Sequence, residues 1–301
     1  MTKNNVMLVT GCGGMLGEAV YNFFKDKCKV FATDIDINEK WLSYLDVNSV
    51  SSLKKTCDKI KPNFIIHLVA LTDLEYCESN PEKAYQINTW GVYNVVAEAH
   101  KRKIPLVCMS TAGVFDGLKG KYKEDDLPNP ISIYGKSKYL SELIACSYEK
   151  AIVIRAGWMI GGGPKKDKKF VNKIIQKINA GNEEIAVVND KFGSPSYTYD
   201  LVKVMYFLLK NKKYGLFHGC CGGSCNRLDI ANQIISLMGM SDKIKIKIVD
   251  SKYFNKDYFA PRPVSENLIN SKLNLIGVNL TRDWRDALKD YLGRFDWLSH
   301  K

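Results

Sequence analysis

A chain of 301 residues is long enough for one large domain, or for a large domain with a smaller one beside it. Its apolar fraction of 46% and charged fraction of 25% are ordinary for a globular protein and argue against a disordered or fibrous chain. The net charge of +12 favours an anionic partner. The lysines are spread along the chain rather than clustered, so no nucleic-acid binding is expected.

The apolar runs and the cysteines exclude two further classes of protein. No apolar run approaches the roughly 18 to 20 residues of a membrane span, so no membrane partner is expected. The N-terminal apolar run is too short for a signal peptide, and we expect a cytoplasmic protein. The nine cysteines lack the spacing of a disulfide framework. Cys220, Cys221 and Cys225 lie near His218 but have no second ligand pair, so no metal site is predicted.

The first predicted strand, residues 5–10, runs directly into a glycine-rich turn that is followed by a helical pattern. Glycines in such a turn allow the backbone to approach a pyrophosphate, and the helix N-terminus offers free N–H groups to its oxygens. This strand–turn–helix order predicts a dinucleotide-binding site. The expected cofactor contacts in the turn are Gly11, Gly13, Gly14, Met15, Leu16 and Gly17.

The second predicted strand, residues 29–33, ends at Asp34, about 20 residues past the glycine turn. A carboxylate in this place can accept hydrogen bonds from both ribose hydroxyls of NAD and would repel the 2′-phosphate of NADP. No basic residue follows before Lys40, so the sequence favours NAD(H) over NADP(H). Asp36 is a rival in the same turn, and an aspartate that only shapes the turn is the simpler alternative.

The next predicted elements alternate between helix and strand: a helix at 54–61, a strand at 64–69, a helix at about 82–102 and a strand at 104–109. This alternation predicts a parallel sheet, which binds its ligands at the carboxyl ends of the strands. His67, inside an apolar strand, is expected to be a buried histidine rather than a base. Further cofactor contacts are expected at Asp46, Val47, Val69, Ala70, Leu71, Thr72 and Asn88.

Tyr134-Gly135-Lys136-Ser137-Lys138 follows a proline-rich segment and begins a helical pattern. Positions i and i+4 share a helix face, so Tyr134 and Lys138 can point into one cleft. A neighbouring ammonium group favours the phenolate, and we expect Lys138 to lower the pKa of Tyr134. Thr111 follows the strand at 104–109 and should reach the same sheet edge. Thr111, Tyr134 and Lys138 beside a dinucleotide therefore predict carbonyl–alcohol redox chemistry.

With these motifs the sequence resembles the extended short-chain dehydrogenase/reductase family, and within it the dTDP-4-dehydrorhamnose reductases. The resemblance runs nearly end to end. It includes the glycine turn and the segments 124–138, 154–158, 188–195 and 260–268. One departure follows Thr111, where Ala112-Gly113 replaces the acidic and aromatic residues usual in these reductases. In this segment the chain is closer to the epimerases and dehydratases of the family.

The resemblance implies an α/β fold, a Rossmann-type doubly wound parallel sheet with a smaller α/β substrate domain. The Rossmann core would comprise residues 1–157 and 192–222. A discontinuous nucleotide-sugar-binding domain would comprise residues 158–191 and 223–301. The implied substrate contacts are Thr111, Ala112, Phe170, Trp158 as an apolar wall and Arg262 as a diphosphate clamp.

Four more elements fit this second half of the chain. Helices are predicted at 171–180 and 200–210, a short strand at 186–188, and a strand at 216–218 that returns to the main sheet.

The implied activity is NAD(P)H-dependent reduction of the C4 keto group of a nucleotide-linked 4-keto-6-deoxyhexose, in deoxysugar or surface polysaccharide biosynthesis. A nucleotide-sugar epimerase or dehydratase of the same family is an alternative. A 4,6-dehydratase is disfavoured because Ala112-Gly113 lacks both of its usual carboxyl groups. A regulatory subunit of methionine adenosyltransferase also resembles this family, so a non-catalytic role is a third reading. The family often dimerises, and a homodimer is compatible with the resemblance.

Overall fold

The computed structural model describes residues 2–297 and is organised around a seven-stranded parallel sheet. Its strand order is β11-β6-β5-β4-β1-β2-β3. The strands are β1 (Val6–Thr10), β2 (Lys29–Asp34), β3 (Ser43–Tyr44), β4 (Phe64–His67), β5 (Leu106–Thr111), β6 (Ala151–Ala156) and β11 (Gly215–His218). Because the chain order reverses between β1 and β4, the crevice at their carboxyl ends is the expected ligand site.

Helices cover both faces of this sheet. They are α1 (Met15–Phe24), α2 (Val50–Ile60), α3 (Leu74–Ser79), α4 (Pro81–Tyr85), α5 (Gly91–Arg102), α6 (Ile133–Cys146) and α9 (Thr198–Lys210). Met7 and Val9 of β1 pack in one apolar core with α1 and α9, whereas Leu8 packs in the opposite core with α2 and α5. No helix within residues 2–297 is long and apolar enough to cross a membrane.

A further apolar core forms around the later segments of the chain. Its helices are α8 (Phe170–Asn179), α10 (Arg227–Leu237) and α12 (Trp284–Gly293). The short helix α7 (Gly163–Lys166) precedes α8, and α11 (Ser271–Leu275) lies beside β11. Three small sheets accompany these helices. The first pairs β7 (Trp158–Ile160) with β10 (Pro195–Tyr197), and the second pairs β8 (Glu184–Val188) with β13 (Lys245–Val249). In the third, β9 (Phe192–Gly193) lies between β12 (Cys225–Asn226) and β14 (Ser265–Glu266).

The predicted fold class is confirmed, and the predicted strands of the large sheet are all present. The helix predicted at 54–61 begins earlier, at Val50, because the Ser49 hydroxyl accepts a hydrogen bond from the backbone N–H of Ser52 and caps it. The helix predicted at 82–102 contains a π-helical turn at Gln86–Trp90, which includes Asn88. Strands β3 and β6 of the large sheet and β13 of a small sheet were not among the predicted strands.

A buried ion pair joins three elements of the core. The Arg155 guanidinium on β6 lies 2.6 Å from Glu142 on α6, and both side chains are almost fully buried. Ser110 of β5 donates a hydrogen bond to the same carboxylate at 2.7 Å. Arg155 also donates to the Glu124 carbonyl, and the Glu124 carboxylate accepts the backbone N–H of His218. This network fixes α6 against β5, the strand that ends at the predicted catalytic threonine.

We predict that Arg155→Met lowers the free energy of unfolding by about 3 kcal/mol or more, because it leaves the buried Glu142 carboxylate without its cation. Urea denaturation followed by circular dichroism measures this loss. The matched control is Arg285→Met, which removes an exposed pair with Asp283 and should cost no more than about 1 kcal/mol. Equal losses in the two variants would contradict the role given to the buried pair.

Candidate active site

The glycine turn brings β1, β4 and α1 into close backbone contact. Gly11 has φ +73°, and a Cβ there would lie 2.4 Å from the Val69 backbone nitrogen. A Cβ at Gly17 would lie 2.0 Å from the carbonyl oxygen of Cys12. Neither position can hold a side chain without moving backbone. Gly14 is the N-cap of α1 and makes no side-chain cap, so the first N–H groups of this helix stay available to an anion.

Asp34 lies at the end of β2, where the sequence predicts it, but its carboxylate is turned toward the glycine turn. One oxygen accepts the Gly13 backbone N–H at 2.9 Å, and the other accepts that of Asp36 at 3.1 Å. A lysine that is distant in the sequence lies in the same region. The Lys166 ammonium lies 3.1 Å from the Glu39 carboxylate in the loop after β2.

The remaining predicted cofactor residues lie around the ends of β3 and β4. The Asp46 carboxylate accepts a hydrogen bond from the Asn48 backbone N–H, and the neighbouring Val47 is buried. The segment 69–72 follows β4 and becomes more exposed along its length.

Asn88 is fully buried, and its amide is satisfied within the protein. It accepts the Leu71 backbone N–H, and it donates to the Leu71 carbonyl and to the Ser137 hydroxyl. The structure therefore gives Asn88 the role of fixing the loop after β4 to helix α6.

Thr111, Tyr134 and Lys138 come together where β5 meets α6. The Lys138 ammonium donates a hydrogen bond to the Met109 carbonyl at 2.7 Å, which holds the first turns of α6 on β5. A Cβ built on Gly113 would lie 3.5 Å from the Thr111 hydroxyl and 3.7 Å from the Tyr134 ring. Tyr134 is half-buried rather than sealed in the core. One hydroxyl, one phenol and one amine thus share the cleft at the carboxyl end of β5.

The glycine that follows Tyr134 is required by close backbone packing. A Cβ at Gly135 would lie 2.3 Å from the Gly113 carbonyl oxygen. Any larger residue would push α6 away from the turn that follows Thr111. Ser132 caps this helix by accepting the Gly135 backbone N–H at 3.0 Å, so α6 begins with Tyr134 in its first turn.

Burial sets the protonation of the two titratable groups in the cleft. It raises the pKa of Tyr134 to about 12, and the Glu266 carboxylate raises it further, while the Thr111 hydroxyl acts in the opposite direction. Burial also lowers the pKa of Lys138 to about 8. The expectation that Lys138 lowers the pKa of Tyr134 is not met, because desolvation is the larger effect on the phenol. At neutral pH both groups therefore hold their protons.

Trp158 and Phe170, both predicted as substrate contacts, pack against the apolar core of α8, α10 and α12. The Trp158 indole N–H donates a hydrogen bond to the Glu266 carboxylate at 2.7 Å. The indole ring packs on Gly193, where a Cβ would lie 2.5 Å from the ring. Glu266 was missed by the sequence analysis, although it lies inside the segment 260–268 on which the resemblance partly rests.

Two other predicted substrate residues are engaged by the protein itself. Arg262, expected as a free diphosphate clamp, forms an ion pair with Glu75 at 2.7 Å and donates to the Ala260 carbonyl. Its charge is therefore already paired across the cleft. Ala112 is buried in a small apolar cluster with Phe115 and Leu268, so its methyl group points into the core.

The cysteine group near His218 has a structural role. Cys220 donates to the Leu268 carbonyl and Cys225 to the Gly193 carbonyl, and burial raises the pKa of both thiols. Among residues 2–297, no three His, Cys, Asp or Glu side chains are grouped so that they could hold a metal ion.

Known proteins resemble this chain along its whole length. The family model described as the RmlD substrate binding domain matches residues 5–296. The spore coat polysaccharide biosynthesis protein SpsK of Bacillus subtilis (strain 168) is 32% identical over 97% of both chains. A solved dTDP-4-dehydrorhamnose reductase, an RfbD ortholog from Clostridium acetobutylicum, has a TM-score of 0.87 and 33% identity, covering 96% of this chain and 98% of that one.

A second solved structure corrects the predicted cofactor preference. The dTDP-4-dehydrorhamnose reductase of Bacillus anthracis (strain Ames), in complex with NADP, has a TM-score of 0.89 and 29% identity, covering 98% of this chain and all of the other. The prediction that NAD(H) is favoured is therefore wrong. It treated Asp34 as a free carboxylate without a nearby cation. In the fold, the Asp34 carboxylate is hydrogen-bonded to the Gly13 backbone N–H, and the Lys166 ammonium, paired with Glu39, lies near the same turn.

We predict that Lys138 titrates near pH 8 in the folded protein, below its ordinary value of 10.5. The unfolded chain then binds the extra proton between these values, so this group makes the free energy of unfolding rise with pH over that interval. NMR of the protein labelled at the lysine side-chain carbons gives the midpoint, and the signal is assigned by its loss in Lys138→Met. A midpoint near 10.5 would show that burial does not govern this amine.

Proposed function

This chain belongs to the RmlD substrate binding domain family, and we propose that it reduces the C4 keto group of a nucleotide-linked 4-keto-6-deoxyhexose with NADPH. The observation that carries the proposal is the placement of Thr111, Tyr134 and Lys138 in one cleft at the carboxyl ends of the strands. This cleft lies at the same sheet edge as the glycine turn, which has no room for side chains at Gly11 and Gly17. The full-length similarity to named dTDP-4-dehydrorhamnose reductases supports a sugar nucleotide as the substrate. The resemblance to SpsK supports a place in polysaccharide biosynthesis.

The glycine turn fits a dinucleotide for two reasons. Gly11 and Gly17 let the turn pack closely on neighbouring backbone, and the start of α1 has no side-chain cap, so its backbone N–H groups can bind phosphate oxygens. Asp46, Val47 and the segment 69–72 would complete the cofactor cleft. When bound, reduced NADP supplies the hydride that the sugar C4 receives.

The protein's own residues handle the proton and the developing charge. The raised pKa keeps the Tyr134 phenol protonated at neutral pH, so it can donate its proton to the C4 oxygen. The Thr111 hydroxyl, which lies beside the phenol, hydrogen-bonds the same oxygen. Lys138, protonated below about pH 8, stabilises the phenolate that Tyr134 leaves behind.

We also propose a division of labour along the chain. Residues 1–157 and 192–222 hold the cofactor, and residues 158–191 and 223–301 supply the walls for the sugar nucleotide. The separate apolar core around α8, α10 and α12 supports this division. Leu273 and Val278 pack in the core of the large sheet instead, so the segment around α11 is better counted with the cofactor side.

Tyr134→Phe should reduce kcat on the order of 10²-fold or more, because the variant keeps the ring and loses the proton donor. NADPH affinity, measured by titration calorimetry, should stay close to that of the unmodified protein. Tyr139→Phe is the control, since it alters another tyrosine on α6 outside the predicted catalytic set. Near-normal turnover by Tyr134→Phe would reject the proton-donor role.

The reaction itself is tested by mixing the purified protein with NADPH and dTDP-4-dehydrorhamnose. A reductase consumes one NADPH for each sugar reduced, which the loss of NADPH absorbance and product analysis measure together. Sugar conversion without net NADPH loss would indicate an epimerase. If NADPH and every sugar in a panel of nucleotide-linked 4-keto-6-deoxyhexoses stay unchanged, the result would indicate a non-catalytic subunit.

A further inference from the structure

Arg227, the first residue of α10, lies against two aromatic rings, Trp158 and Phe170. Its guanidinium carbon is 3.7 Å from the centre of the Trp158 ring and 4.8 Å from that of Phe170. A guanidinium stacked at this distance is held in one plane by cation–π attraction. Its N–H edge, by contrast, is left for hydrogen bonds.

No residue in the described part of the chain pairs with that edge. The other six arginines each form an ion pair with a carboxylate, and they are Arg102, Arg155, Arg262, Arg282, Arg285 and Arg294. Within residues 2–297, the Arg227 guanidinium makes neither a hydrogen bond nor an ion pair, although the Glu266 carboxylate acts on its charge. A stacked guanidinium with no hydrogen bond inside the protein keeps its N–H donors available to an anion from outside the chain.

The position of Arg227 relates this cation to the catalytic cleft. Strand β9 pairs with β12 on one side and with β14 on the other, so Cys225 and Glu266 flank Gly193, on which the Trp158 indole rests. Arg227 directly follows β12 and stacks on the same indole. The charge of Glu266 acts on both Arg227 and Tyr134. The Glu266 carboxylate therefore relates the Arg227 guanidinium to the cleft that holds the Tyr134 phenol.

We propose that Arg227 binds the diphosphate of the sugar-nucleotide substrate, with Trp158 and Phe170 as the platform that orients it. This inference rests on the proposed function. A guanidinium stacked on an aromatic ring still presents paired N–H donors along its edge, and two phosphate oxygens match their spacing. Arg262, the residue that the sequence favoured for this task, has its charge neutralised by Glu75.

The test measures binding of dTDP by calorimetry, without cofactor or keto sugar. Arg227→Met should weaken dTDP binding tenfold or more, and Arg227→Lys should weaken it less because it keeps the charge and loses the paired donors. Thymidine, which lacks phosphates, and NADPH should bind equally to all variants. In steady-state assays KM for the keto sugar nucleotide should rise more than kcat falls, because the diphosphate lies away from the reacting carbon.

The matched control is Arg285→Met, which removes another arginine stacked on a tryptophan, 4.5 Å from the Trp284 ring. It should leave dTDP binding unchanged. Unchanged dTDP affinity in Arg227→Met, an equal loss of thymidine binding, or an equal effect of Arg285→Met would each overturn the inference. If the unmodified protein binds dTDP through Arg227 but reduces no keto sugar, the inference stands and the proposed reductase activity fails.

Discussion

The buried contact between Arg155 and Glu142 is the constraint on which the rest of the site depends. It joins β6 to α6, and Ser110 adds β5 to the same carboxylate. Ser110 precedes Thr111, and Glu142 lies one helical turn beyond Lys138. Any shift of this pair would therefore move the catalytic hydroxyl relative to the phenol and the amine. A polar network in the core costs desolvation, but it allows one geometry where apolar packing would tolerate several.

The cleft combines a phenol whose pKa is raised with an amine whose pKa is lowered to about 8. Both effects have one origin, which is removal of water by the surrounding protein. A phenol that resists ionisation holds its proton until a stronger base, the developing alkoxide, takes it. An amine with a lowered pKa can stabilise the resulting phenolate and is anchored by the Met109 carbonyl. The site is thus prepared for proton donation before substrate arrives.

The tertiary structure decides which cations along the cleft form ion pairs with carboxylates and which do not. Arg262 is held by Glu75 and Lys166 lies at Glu39, so both link the later segments of the chain to the large sheet. Arg227 is stacked on rings and makes no ion pair among the described residues. The contrast separates Arg262 and Lys166, which hold the two sides of the cleft together, from Arg227, which we propose binds the substrate.

The sequence by itself determined the features that depend on near neighbours in the chain. Strand and helix periodicities predicted the large parallel sheet, the glycine spacing predicted the turn after β1, and one helical turn between Tyr134 and Lys138 predicted their shared face. Only the tertiary structure decided the partners and the environment of each charge. The hydrogen bonds of Asp34, the ion pair of Arg262 and the platform under Arg227 join residues far apart in the chain. The raised pKa of Tyr134 likewise depends on burial by several distant segments, and no local pattern records how much water they exclude.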